Sequence, residues 1–174
     1  MGGRYIALNC PSCGAQVGDN QKKCPSCGVG LVFEIDTTGA SLLQVKRLLE
    51  LGRYPEAVQQ CDNLLAYGMI SSEIYYYKCI ALLEGKRPFL HSRKQVDDCI
   101  EAVDKASKLS DKGIIHLLRA YLEYDYFERK FLNRNPNYKF FMQEAKRCGF
   151  SDEERRSLES LIHNSINVGG PYER

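Results

Sequence analysis

The chain has 174 residues, 24 of them basic and 22 acidic, for a formal charge of +2. So even a balance gives no electrostatic pull toward nucleic acid or an anionic membrane, and no run approaches the ~18 apolar residues a bilayer span needs. Hydrophobic residues make up 44% and charged residues 26%, the proportions of a globular chain rather than a disordered one, and the length suits one ordinary domain or a small module plus a medium one.

The opening residues, MGGRYIALNC, lack the long apolar core of a secretory signal. Ile6 stands where a myristoylation motif needs Ser or Thr, so a cytoplasmic protein is the expectation. Residues 1–35 are rich in Cys, Gly and short polar turns, with brief extended runs at 5–8 and 31–35. A segment so poor in apolar surface needs a staple to fold. A short turn-like linker, 36–40, separates it from the rest.

From Ser41 the pattern is helical. Leu42, Val45, Leu48 and Leu49 form an apolar stripe at three- and four-residue steps, which Gly52 ends by accepting the left-handed backbone. Pro55 fits the first turn of a second helix that stops at Gly68. Ser71 or Ser72 caps a third, stopping at Gly85. A fourth runs over 93–109, with Val96, Ile100, Val103 and Ala106 in register. Asp111 opens a fifth that reaches 131, before Asn133 and Pro136 interrupt the chain. A sixth spans 138–148 and ends at Gly149, and Ser151 with Glu154 makes a capping box for the seventh. The expectation is an all-α body over 41–168 with a frayed tail at 169–174.

The N-terminal segment contains CPSCGAQVGDNQKKCPSCG, one pentapeptide at 10–14 and again at 24–28. Two cysteines three apart aim both sulfurs at one ion, so Cys10, Cys13, Cys24 and Cys27 supply four thiolates for a tetrahedral zinc. With every position filled by protein, the site is structural, with no place for a catalytic water. Iron in a rubredoxin-like shell is the alternative ion; a redox dithiol fits poorly, having no helix N-terminus or thioredoxin-like pattern beside it. The other four cysteines, Cys61, Cys79, Cys99 and Cys148, read as small core residues. The stretch resembles the short zinc-ribbon domains of many bacterial multidomain proteins, whose two CPxCG knuckles flank a variable polar stretch. Zinc held by four thiolates is doubly anionic, and the three basic groups of residues 1–34 (Arg4, Lys22, Lys23) face two acidic ones (Asp19, Glu34). No basic face for nucleic acid results.

Within the helical part, LLELGRYPEA at 48–57 is echoed by ALLEGKRP at 81–88 and, more loosely, by AYLEYDYFER at 120–129. The spacings, 33 from Gly52 to Gly85 and 40 from Gly85 to Asp125, bracket a period of about 34 residues. With Gly52, Tyr54 and Ala57 in its small–aromatic–small positions, the pattern resembles a degenerate tetratricopeptide repeat, although Val45 and Lys78 replace the small residue of the first helix. A generic array of helical hairpins is the alternative; either stacks into a short solenoid. The resemblance implies a concave groove lined by first-helix residues: Lys46, Glu50, Tyr75, Arg119 and Glu123.

Catalytic patterns are weak. His91, His116 and His163 are scattered, GKRP lacks Walker spacing, and Asp97 and Asp98, being adjacent on a helix, point different ways. The sequence therefore points to a non-enzymatic adaptor binding another protein or peptide, beside one structural zinc. A nucleic-acid-associated regulator using the ribbon, and a structural subunit of a larger assembly, are the alternatives.

Overall fold

The computed structural model describes residues 8–9, 13–17, 24–28, 37–132 and 134–168. Cys10 and the predicted tail at 169–174 lie outside the described residues. The chain divides into two units, Met1–Thr37 and Thr38–Arg174. In the first, β1 (Leu8–Asn9) pairs antiparallel with β2 (Gln16–Val17), Leu8 opposite Val17 and Asn9 opposite Gln16.

The described part of the second unit is helical: α1 (Thr37–Glu50), α2 (Tyr54–Ala66), α3 (Ser72–Leu82), α4 (Arg93–Leu109), α5 (Gly113–Leu122), α6 (Tyr138–Cys148) and α7 (Asp152–Ile162). The predicted linker at 36–40 is corrected by α1, which already begins at Thr37. Gly39 falls in the first turn of that helix, where the N–H groups have no intrahelical partner in any case, so a weak helix former disrupts little there. Ser71, not Ser72, caps α3 by accepting the Ile74 N–H at 3.3 Å. Two capping boxes start α4 (Ser92 with Gln95) and α7 (Ser151 with Glu154), each satisfying two otherwise orphaned N–H groups.

Helices adjacent in sequence pack on one another from α2 to α6. One core gathers buried side chains of α1, α3, α4 and α5, among them Val45, Leu49, Ile74, Ile80, Val96, Val103, Leu118 and Leu122, together with Cys61 and Leu64 of α2 and Ala145 of α6. Each of the Val, Leu and Ile side chains contributes roughly 1.5–3 kcal/mol by leaving water. The last helix departs from the expected solenoid, in which each hairpin touches only its neighbours. Leu158, Leu161 and Ile162 of α7 enter this same core. Beyond it, the His163 ring meets Tyr54 edge-on at 6.5 Å, and Asn164 Nδ2 donates to the Gly85 carbonyl at 3.4 Å. The end of the helical unit thus returns to the start of α2 and the turn after α3.

The fifth helix also differs from expectation. It starts at Gly113 rather than Asp111, because the Asp111 carboxylate is bonded to His116, Arg147 and Cys148 instead of capping the helix. After Leu122 it widens into a π-helical turn over Glu123–Phe127 and tightens into a 3₁₀ turn over Glu128–Lys130, ending at Phe131 with φ 56°. The widened turn carries two carboxylates, Glu123 and Asp125, each 1% exposed and each held by arginines. Taking the arginines away would leave buried, uncompensated charge in this turn.

Candidate functional site

Three of the predicted metal ligands are described, and the fold brings them together. The Sγ atoms of Cys13, Cys24 and Cys27 all lie within 4.8 Å of one another. The Cys13–Cys24 separation is 3.6 Å, close to the ~3.8 Å edge of a tetrahedron with metal–sulfur bonds of ~2.3 Å. Each knuckle places its glycine at the same backbone angle, φ 72° at Gly14 and 71° at Gly28. A residue with a β-carbon would be strained there, which explains why both pentapeptides end in glycine. The Gly28 N–H closes the second knuckle on the Cys24 carbonyl at 2.9 Å.

Cys24 is 2% exposed, yet its thiol is drawn down to about 6. The Cys27 backbone N–H is the largest cause, burial opposes it, and the Ser26 N–H and the neighbouring thiols add to the lowering. N–H groups aimed at a sulfur favour its thiolate, the form that binds a metal. The donor set therefore suits a thiophilic cation such as zinc.

The predicted groove is only partly assembled. Arg119 and Glu123 do not line it. They are 5% and 1% exposed and pair with each other inside the helical unit. Arg119 Nε also donates to Asp104 Oδ1 at 2.7 Å, its guanidinium lies 4.4 Å over the Phe141 ring, and Arg134 sits 3.3 Å from Glu123 Oε1. Nine of the ten residues of α5 are buried, Arg119 among them, so this helix does not present Arg119 to the predicted groove. Glu50 is exposed and Lys46 half-buried, and neither borders the groove that holds Tyr75.

Tyr75 lies in a groove of about 260 Å³ across α2, α3 and α4. Val58, Leu82 and Ala102 line it with apolar surface, while Lys78 and Lys105 carry its charge beside Asp98. Lys78 pairs with Asp62 and Lys105 with Glu101, and the Lys105 ammonium stands 5.8 Å over the Tyr75 ring. The α4 contribution, Asp98, Glu101, Ala102 and Lys105, repeats at three- and four-residue steps. That signal was available in the sequence, but it reads as one more solvated face. A second cleft, about 310 Å³, lies among α3, α5 and α7 beside Tyr76 and Tyr77.

Among the described residues no helix is long and apolar enough to cross a membrane. No family model, curated protein or solved structure matches this chain.

Proposed function

We propose that the chain is a non-enzymatic adaptor, in which the helical unit holds a segment of another protein. On this reading residues 1–35 are a zinc ribbon, folded around one structural ion by Cys10, Cys13, Cys24 and Cys27. The observation that carries the binding role is the α2–α3–α4 groove, where a half-buried tyrosine stands between apolar side chains and paired charges of both signs. Such a lining suits an amphipathic peptide, with apolar contact giving affinity and the charges fixing register. The tetratricopeptide likeness of the first hairpin is supported by Ala57, fully buried, and by Tyr54, half-buried against the turn at Gly85.

A photoreactive residue placed at Asp98 and expressed in the native cells tests this reading. The expected result is a protein adduct that disappears when Tyr75→Ala is added. Adducts indifferent to Tyr75→Ala, or adducts to nucleic acid with steeply salt-dependent affinity, would overturn the adaptor reading.

A further inference from the structure

Asp111, His116 and Cys148 stand apart from both the thiol cluster and the groove. Asp111 lies in the loop between α4 and α5, His116 in the first turns of α5, and Cys148 is the last residue of α6. Their ligand atoms all fall within 4.8 Å of one another. His116 Nε2 is 2.8 Å from Asp111 Oδ1, and the Cys148 thiol donates to the same oxygen at 3.1 Å.

We propose that these three residues form a second metal site, for zinc or a divalent ion of similar softness, with a fourth position open to solvent. One carboxylate oxygen, one imidazole nitrogen and one thiolate belong to the donor types that zinc accepts, whereas calcium and magnesium require oxygen shells. Three protein ligands leave one coordination position, and the Asp111 side, with 58% of that side chain exposed, is where it meets water.

Two further observations set the cluster apart from a chance surface contact. The start of α5 and the end of α6 touch through backbone. A β-carbon on Gly113 would lie 2.2 Å from the Gly149 carbonyl oxygen and 2.6 Å from that of Ala145. The loop carrying Asp111 and the end of α6 carrying Cys148 are therefore held at fixed separation. Asp111 also has a supporting partner of its own, since Arg147 Nη2 binds Oδ2 at 2.8 Å and Arg147 Nε is held by Glu144 at 3.0 Å. One oxygen is oriented from behind while the other faces His116 and Cys148, the arrangement by which outer residues aim a ligating carboxylate. Charge also balances: the ion's two positive charges meet one thiolate and one carboxylate, and Arg147 is offset by Glu144. On loading, the Cys148 S–H breaks, a metal–sulfur bond forms, and the proton leaves to solvent.

The test is zinc titration of the full chain, stripped of metal, against a chromogenic chelator. Wild type should bind two ions, Cys148→Ala and His116→Gln one each, and Cys24→Ser with Cys27→Ser one. In that last variant, added cobalt should give a thiolate-to-cobalt absorption band that the further change Cys148→Ala removes. Arg147→Met should weaken the remaining site about 10- to 100-fold. Failure of the double-serine variant to bind zinc or cobalt, with far-UV circular dichroism unchanged, would overturn the proposal, and so would a cobalt–thiolate band that survives Cys148→Ala. If the ribbon reading alone is wrong, wild type binds a single ion that Cys148→Ala removes and the double-serine change leaves in place.

Discussion

Asp125 accepts the backbone N–H of Phe89 at 2.9 Å, tying the π-helical turn after α5 to the turn that precedes α4. Its other oxygen takes Arg87 and Arg129. The three bonds converge on a side chain that is 1% exposed, so removing the carboxylate strands a backbone donor and two guanidinium groups. The arginines are partly exposed and can recover water, but the carboxylate's own interior position cannot be refilled. Asp125→Ala should therefore lower unfolding free energy by about 1–3 kcal/mol. Asp125→Asn, which keeps an acceptor for Phe89, should cost less. Urea unfolding would show the order, and equal losses would contradict the role given to the Phe89 bond.

Arg119 and Glu123 offer a sharper comparison, because both partners are buried. Arg119→Met leaves Glu123 with Arg134 alone, and Glu123 Oε2 already has no hydrogen-bond partner among the described residues. The single change should cost about 3–5 kcal/mol, whereas Arg119→Met combined with Glu123→Leu should cost less than the sum of the two single changes. A double-mutant cycle measures this coupling. Additive losses would mean that the pair does not act as a unit.

Gly113 has no room for even a methyl group, since both atoms that a β-carbon would meet most closely are backbone carbonyl oxygens. Gly113→Ala must push α5 away from α6, with an overpacking cost of about 1–3 kcal/mol. The melting temperature should fall by several degrees, while Gly68→Ala, where nothing lies within 4 Å, carries only the strain of its positive φ.

Burial pushes the Cys61 thiol up to about 12, with Asp62 adding to the effect, and burial lifts the Cys79 thiol beside Cys99 as well. The folded state holds these protons after the unfolded chain, with ordinary thiols near ~8.5, would release them. The Cys61 contribution to stability is therefore complete below about pH 8.5 and is lost as pH rises toward 12, at roughly 1.4 kcal/mol per pH unit in that window, and Cys79 acts in the same direction. Urea midpoints at neutral pH and near pH ~10 should fall less steeply in Cys61→Ala than in wild type. Parallel slopes would count against it.

On the zinc-ribbon reading, Cys13→Ser removes one equivalent of bound zinc. Because Met1–Thr37 and Thr38–Arg174 are separate units, the helical far-UV signal should stay near its wild-type value. A collapse of helicity would mean that the two units fold as one.

Local signals made most of the helical order readable. The stops at Gly52, Gly68 and Gly149, Pro55 at the start of α2 and the span of α4 all follow from spacing and caps within one turn. The thiol cluster was legible for the same reason, since a knuckle is a local device. What escaped depends on distant partners. The π-helical turn forms around charges supplied by Arg87, 38 residues before Asp125, and the start of α5 is set by Arg147 and Cys148, 36 and 37 residues beyond Asp111. Four-residue spacing correctly put Arg119 and Glu123 on one helix face. It could not say that this face looks inward.

The return of α7 to Tyr54 and Gly85 bears on how such a chain can change over generations. An open row of hairpins grows or shrinks by duplicating or dropping a unit, because a new end resembles the old one. Here the end of α7 meets the start of α2 and the turn after α3 through Tyr54 and Gly85, so an inserted hairpin would have to part those contacts, and a chain cut after α6 would bare the core behind Leu158 and Ile162. Inserting or dropping a hairpin should therefore disturb these closing contacts, whereas a substitution on an outer face leaves them in place.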